Sequence, residues 1–287
     1  MKRRECLSAL GVVAATVAGS PTETAAAGQF SGKIRKAIKY QMIGGRDQSL
    51  SVEDKFRLVK DIGFDGIEVR SEAKADAEES LAAYERAQRS TGLPIHGIIH
   101  SSNPDLRLAI DQAKRLGGTS VLHVVRYNKN ISYLQNYRET LDIIRRASDH
   151  AAKRDVMILV ENVWASYLIE PMGMARFLDQ VGSPMAGAYF DIGNVVRWGW
   201  PEHWIEVLGK RIKKLDVKEY DLDIAMTRGM RRGFDGALGA GSIDWAKVRQ
   251  QLAQIDFQGW ATAEVPGGDR DRLADIANQM DQVLDLK

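Results

Sequence analysis

Cysteine is almost absent from this chain of 287 residues, since Cys6 is the only one. It precedes a short apolar run near the start, so the remainder can form neither a disulfide nor a thiolate metal site. An excess of charge is missing too: 40 Lys and Arg stand against 38 Asp and Glu, for a net charge of +2. That balance argues against a nucleic-acid-binding surface. After the first residues, no apolar run approaches the roughly 20 residues of a membrane span.

Residues 1–27 have the composition of an export signal. A charged start is followed by a short apolar stretch over 7–19 and by three alanines that offer an A-x-A cleavage site, Ala25, Ala26 and Ala27. The pair Arg3-Arg4 resembles a twin-arginine signal, although Cys6 stands where the usual motif has an aromatic residue. We therefore expect a periplasmic or secreted protein whose mature chain covers 28–287.

The rest of the chain alternates between strand and helix patterns. The pattern recurs eight times at steps of roughly 30 residues, which predicts a parallel sheet. Eight such units in about 260 residues predict a single-domain (β/α)8 TIM barrel. A doubly wound open sheet is the alternative. Such a fold would be expected to carry a G-x-G-x-x-G turn after an early strand, and none occurs there. In this assignment 29–36 is a polar lead-in, 39–43 is the first strand and 220–241 is a long polar loop.

Four acidic residues stand at or near the ends of predicted strands. The runs that carry them are VMILVE with Glu161, AYFD with Asp191, IKKLDV with Asp216 and WATAEV with Glu264. A carboxylate at the end of a buried strand is costly unless it is paired or bound to a cation. Each acid alone could equally be a loop-edge carboxylate or a helix cap. In a barrel, however, these strand ends share one face, so the four predict a site for a hard divalent cation.

Several motifs resemble the xylose isomerase-like TIM-barrel superfamily of sugar phosphate isomerases and epimerases. They are GFDGIEV, LVEN, FDIGN with RWG, KRIKKLDVKE, LGAGSIDW and GWATAEV. The resemblance implies a divalent ion, Mn²⁺ first and Mg²⁺, Co²⁺ or Zn²⁺ as alternatives, held by Glu161, Asp191 and Glu264. The family's fourth ligand is a histidine, and Asp216 stands there, so the site is harder and more anionic. Asn194 stands where a histidine often follows the strand-six aspartate. The DNA-repair endonucleases of the superfamily need more histidines than the five present.

The resemblance implies an exported, metal-dependent isomerase or epimerase whose partner is a small carbohydrate. The reaction would remove a proton next to a carbonyl and pass through an enediolate, with the ion as Lewis acid. Glu161 and Glu264 would exchange the proton and Lys218 would steady the negative charge. A metal-dependent lyase or hydrolase acting on keto-sugars or glycosides, and a non-catalytic sugar-binding barrel, remain as alternatives.

Four further residues are candidates for contact with the sugar. His100 ends the third strand, Trp164 and Trp198 flank the acidic strand ends, and Arg232 belongs to the 220–241 loop. Aromatic rings suit the C–H faces of a sugar, and an arginine suits an anionic group. The alternatives are a hydrogen-bonded histidine at the barrel mouth, tryptophans that pack loops, and a solvated basic loop. A homo-oligomer is left open.

Overall fold

The strands form a closed parallel barrel in chain order, which confirms the predicted fold as a single (β/α)8 domain. The computed structural model describes residues 27–44, 49–73, 77–100, 105–164 and 167–287, so the export signal predicted over 1–27 lies outside them except for its last residue. The strands are β1 (Ile34–Lys39), β2 (Gly66–Arg70), β3 (Ile95–His100), β4 (Ser120–Val124), β5 (Met157–Glu161), β6 (Ala186–Asp191), β7 (Ile212–Val217) and β8 (Gly259–Ala263).

Helices alternate with the strands and pack around the barrel. They are α1 (Val52–Ile62), α2 (Ala77–Thr91), α3 (Leu106–Arg115), α4 (Tyr133–Arg154), α5 (Pro171–Val181), α6 (Pro201–Leu208), α7 (Leu222–Arg228), α8 (Trp245–Gln254) and α9 (Arg270–Leu284). Side-chain caps set several of their first turns: Ser51 accepts a hydrogen bond from the Asp54 amide, and Ser132 accepts one from that of Gln135. Within the described ranges, no helix has the length and apolarity needed to cross a bilayer.

The prediction for the first strand was wrong. The strand ends at Lys39, where it had been expected to begin, and it pairs with β2 and β8. Its three basic residues hid it, because strands buried on both faces usually read as continuous apolar runs. Lys36 turns outward, where its Nζ lies 2.6 Å from Asp281 Oδ1 on α9. Lys39 instead turns into the barrel mouth.

The 220–241 segment, predicted as a polar loop, contains helix α7 and a 3-10 helix at Met230–Asp235. Asp221 caps α7 by accepting a hydrogen bond from the Ile224 amide. Glu219, buried just before the segment, accepts hydrogen bonds from the Gly239 amide at 2.8 Å and from Trp245 Nε1 at 3.0 Å. We call residues 220–241 the covering segment.

Polar side chains join across the barrel interior in one directed chain of hydrogen bonds. Lys214 Nζ donates to His96 Nδ1 at 2.9 Å, which leaves the proton of this imidazole on Nε2. His96 Nε2 lies 3.2 Å from Thr262 Oγ1, which lies 2.7 Å from the Tyr189 hydroxyl. Tyr189 donates to Glu68 Oε2 at 3.3 Å. Burial and the charge of Lys214 hold the pKa of His96 well below its usual value, in keeping with a neutral ring.

Candidate metal centre

The four acids predicted as metal ligands lie together at the carboxyl ends of neighbouring strands. Glu161 ends β5, Asp191 ends β6, Asp216 lies one residue before the end of β7, and Glu264 follows β8. One oxygen from each carboxylate lies within 4.8 Å of the corresponding oxygen of every other. Three of the side chains are buried, whereas that of Glu264 is partly exposed. The converging strand ends therefore create one compact acidic centre at the barrel mouth.

Two asparagines fix the position of Asp191. Asn162 clamps its backbone: its Oδ1 accepts from the Asp191 amide at 2.7 Å and its Nδ2 donates to the Asp191 carbonyl at 2.8 Å. The Asn194 amide then donates to Asp191 Oδ1 at 2.9 Å, across the turn that closes β6. The Asn194 side chain also reaches Glu161, with Nδ2 3.4 Å from Oε1. The turn after β6 thus links two of the four carboxylates.

Two lysines are built into the centre. Lys218 Nζ lies 2.7 Å from Asp191 Oδ2 and 3.3 Å from Glu264 Oε1. Lys39 Nζ lies 2.9 Å from Asp216 Oδ2 and 2.5 Å from Glu264 Oε2. Burial alone would lower the pKa of Lys39, but Asp216 and Glu264 outweigh it and raise that pKa above its ordinary value. Sequence reasoning missed Lys39 because it placed this residue at the opposite end of the first strand.

The two glutamates sit in different electrostatic surroundings. Burial, reinforced by repulsion from Glu264, raises the pKa of Glu161 to about 8. Burial also acts to raise the pKa of Glu264, but Lys39 and Lys218 overcome it and lower that pKa to about 2. Each oxygen of Glu264 faces an ammonium group, whereas Glu161 Oε1 faces the neutral amide of Asn194. Glu161 is consequently the more basic of the two.

The donor set fits a divalent cation. With all four carboxylates ionised, as ligands of a cation have to be, the two ammonium groups leave a charge of minus two, which one divalent ion neutralises. Asp216 Oδ1 is buried with no hydrogen-bond partner among the described residues, and an unpaired buried carboxylate oxygen is strongly disfavoured. Burial raises the pKa of Asp216 above its ordinary value despite Lys39. Oxygen donors alone suit hard ions such as Mg²⁺ and Mn²⁺.

Two of the predicted sugar contacts lie inside the mouth. The ring of His100 stacks on that of His123, and their Nδ1 atoms are 3.1 Å apart. Burial, together with repulsion from His100, lowers the pKa of His123 to about 3. Trp164 Nε1 donates to the Asn194 carbonyl at 2.7 Å, and its ring packs 5.3 Å from that of Phe234 in the covering segment. Trp164 therefore joins the acidic centre to the covering segment, and its role as a sugar contact stays a prediction, like that of His100.

The other two predicted contacts lie at the rim. The ring of Trp198 is exposed, with the Arg197 guanidinium 4.7 Å from its centroid. Arg232 is also exposed and pairs with Asp235, Nε to Oδ2 at 2.9 Å. Phe234, which was not among the predicted sites, comes closer to the centre, with its ring centroid 5.2 Å from Lys218 Nζ. A binding role for Trp198 or Arg232 stays a prediction.

A closed barrel with eight parallel strands and a buried carboxylate centre at their carboxyl ends defines a TIM-barrel protein with the layout typical of enzymes of this fold. The chain belongs to the xylose isomerase-like TIM barrel family, whose model matches residues 56–285. No curated protein matches the chain by sequence.

Several solved structures of sugar epimerases share the fold. D-allulose 3-epimerase from Methylomonas sp. has a TM-score of 0.69 at 19% identity, covering 88% of this chain and 98% of that one. L-ribulose 3-epimerase has a TM-score of 0.70 at 16% identity, covering 88% and 94%. The 3-keto-D-glucoside 4-epimerase from E. coli has a TM-score of 0.66 at 14% identity, covering 84% and 98%. At these identities the likeness shows the fold alone.

Proposed function

We propose that this protein is a metal-dependent sugar isomerase or epimerase that removes a proton next to a carbonyl and returns it through an enediolate. The observation that carries the proposal is the centre of four carboxylates, with one ligand oxygen of each within 4.8 Å of the others. With all four carboxylates ionised and Lys39 and Lys218 charged, the centre carries minus two, which matches one divalent ion. The sugar epimerases among the structural neighbours support the same class of substrate, a small carbohydrate.

Glu161, Asp191, Asp216 and Glu264 would hold the ion, with Mn²⁺ as the first candidate. When bound, the ion supplies Lewis acidity that polarises a carbonyl. Glu161 takes the proton, because without a metal its surroundings make it the more basic of the two glutamates. In the two-glutamate scheme Glu264, which is partly exposed, takes a proton from solvent and delivers it to the enediolate, while Glu161 releases the abstracted proton to solvent. Lys218 Nζ, already 2.7 Å from Asp191 Oδ2, stabilises the negative charge of the enediolate.

Metal analysis and isotope exchange test this proposal together. Purified protein should contain about one divalent ion per chain, and a set of keto-sugars in D₂O should give an isomer that carries deuterium beside the carbonyl. Glu161→Gln should abolish both exchange and isomer formation, since an amide cannot accept the proton. Glu206→Gln, an exposed change on α6, is the control and should retain activity. A metal-free protein, or a Glu161→Gln variant with normal turnover, would contradict the proposal.

Glu264→Gln resolves how the proton returns. A loss as large as that of Glu161→Gln supports exchange between two glutamates. A variant that still exchanges deuterium but no longer inverts or isomerises supports the same division of roles. Full activity would leave Glu161 as the only acid-base residue and would contradict the role proposed for Glu264.

A lyase that eliminates a group from a keto-sugar or glycoside is the second candidate. The observation in its favour is the pair of exposed tryptophans at the rim, Trp198 and Trp200, which offers room for a bulky aglycone. One of the solved structures that share the fold, the 3-keto-D-glucoside 4-epimerase, acts on a glycoside of the kind this candidate requires. Product analysis separates the two, because a lyase releases the aglycone whereas an epimerase leaves the glycoside intact.

We also propose that the protein is exported by the twin-arginine route. The support is the sequence of residues 1–27, with Arg3-Arg4, an apolar stretch and an A-x-A site. This route carries folded proteins, which suits a chain that would bind its metal before export. Cell fractionation and N-terminal sequencing test it, with a mature start expected at Gly28.

A further inference from the structure

A second concave feature lies on the same face of the barrel as the metal centre, outside the set of four carboxylates. It is a cavity of about 460 Å³ formed by the turn after β6 and by the first residues of α6, α7 and α8. We call it the aromatic groove, and its lining includes Trp198, Trp200, Glu202, Leu222, Asp244 and Lys247. Its volume lies within the range of small-molecule sites, roughly 300–1,000 Å³.

Two tryptophans form the apolar part of the groove. Trp198 is 61% exposed and Trp200 is 64% exposed, which is unusual for the largest side chain. Only Gly199 separates them, so both rings belong to one short rim. Arg197 covers one face of the Trp198 ring at 4.7 Å. Exposed aromatic rings beside a cavity suit a ligand with a flat apolar face.

The polar part of the groove contains a buried carboxylate that lacks a full set of partners. Glu202 is only 7% exposed, and its Oε2 has no hydrogen-bond partner among the described residues. The nearest cation is Lys247, whose Nζ lies 3.9 Å from Oε1. A buried carboxylate oxygen without a donor is costly, so it indicates a ligand that brings a hydroxyl or amine.

We propose that the aromatic groove binds a neutral pyranose ring, as the outer unit of a disaccharide or glycoside whose reacting ring lies at the metal centre. A pyranose presents an apolar C–H face to a tryptophan and a rim of hydroxyl donors to Glu202. The groove carries both signs of charge, in Glu202, Asp244 and Lys247, which favours an uncharged ligand. The inference rests on the proposed function in taking a carbohydrate as the class of substrate and the metal centre as the place where it reacts.

The groove and the metal centre are bordered by the same two segments of the chain. Val196 lines the groove and lies two residues after Asn194, which bonds to Asp191 and lies against Glu161. Leu222, near the start of the covering segment, and Ser242, directly after its end, line the groove, and Phe234 of the same segment faces Lys218. The turn after β6 and the covering segment thus border the groove and the metal centre alike.

Calorimetry on the full chain carrying Glu161→Gln, which blocks turnover, tests the groove with four probes: D-glucose, cellobiose, maltose and gentiobiose. At least one disaccharide should bind about tenfold more tightly than glucose, and Trp200→Ala should remove that advantage because it deletes an aromatic anchor. Glu202→Gln should weaken the disaccharide about threefold, since the buried acceptor loses its charge. Met226→Ala removes exposed apolar surface from α7 and, as the control, should change nothing.

Three results would overturn the proposal: no disaccharide binds more tightly than glucose, Trp200→Ala keeps the full advantage, or Trp200→Ala converts a dimer into a monomer in light scattering. The last would make the groove a contact between two copies of the chain. Trp200→Phe checks that the alanine variant has not simply unfolded, because it should retain most of the advantage. If disaccharide binding persists while no carbohydrate is turned over by the parent protein, the groove stands and the proposed function fails.

Discussion

Replacing Lys39 by methionine separates two roles that a lysine could have in a metal centre. Lys39 Nζ bonds to Asp216 at 2.9 Å and to Glu264 at 2.5 Å, and the lysine is buried. If it positions the two carboxylates, its loss should weaken metal binding. If its positive charge mainly repels a bound cation, its loss should tighten metal binding.

The charges favour the second outcome. Breaking a buried ion pair costs about 3–5 kcal/mol, because the carboxylates are left without compensation. At roughly 2 °C for each kcal/mol in a chain of this size, the metal-free variant should unfold about 6–10 °C below the parent. A single and a double positive charge about 5 Å apart repel by roughly 1.7 kcal/mol even in water. Removing that repulsion should tighten Mn²⁺ binding by about tenfold or more.

Calorimetric titration with Mn²⁺ at pH 8, together with thermal unfolding with and without the ion, measures both effects. Lys36→Met is the matched control: it breaks another buried lysine pair on the same strand, with Asp281 at 2.6 Å, on the outer face. It should lower the melting temperature by less than Lys39→Met, because Lys287 also pairs with Asp281, and it should leave the affinity for Mn²⁺ unchanged. A folded Lys39→Met variant that binds Mn²⁺ no more tightly than the parent would refute the charge argument and make Lys39 a positioning residue.

Three further outcomes are expected. Asp216→Asn should weaken metal binding, whereas Asp216→His should retain much of it and shift the preference among metal ions toward Zn²⁺. Metal titration measures both effects, and equal affinity in the parent and Asp216→Asn would remove this residue from the ligand set. In metal-free protein Glu161 binds its proton more tightly folded than unfolded, so stability should fall as pH rises from about 4.5 to 8. Glu161→Gln should flatten that slope in denaturant titrations, and an unchanged slope would assign it to other groups. Arg3→Lys combined with Arg4→Lys should trap the precursor in the cytoplasm, and export at the normal level would rule out the twin-arginine route.

The sequence predicted the barrel because its period is long and regular, whereas errors arose where local pattern and tertiary setting disagree. The first strand was misplaced because Lys36 and Lys39 find their buried partners only in the folded barrel. The covering segment read as a loop because its glycines and arginines hide a helix of only seven residues. Both errors concern segments whose structure depends on contacts with residues distant in the sequence.

The acids of the centre could be predicted because each stands at or near a strand end, and strand ends meet on one face of a barrel. Lys39 could not be predicted, since its place depends on where its strand stops. The difference between the surroundings of Glu161 and those of Glu264 could not be predicted from the sequence either. They arise from which carboxylate the two lysines touch, and that is a matter of side-chain geometry rather than of residue type or spacing.

The anchoring of the covering segment bears on how this protein could be diversified. Glu219 accepts hydrogen bonds from backbone amides at both ends of the segment, those of Tyr220 at 3.1 Å and Gly239 at 2.8 Å. A Cβ on Gly241 would lie 2.5 Å from Glu219 Oε1, so the return of the chain past this carboxylate is close. Both ends of the covering segment are therefore held at one buried carboxylate, that of Glu219. Changes in the sequence between the anchors would leave the barrel beneath unchanged and, under the proposed function, would alter which sugars reach the acidic centre.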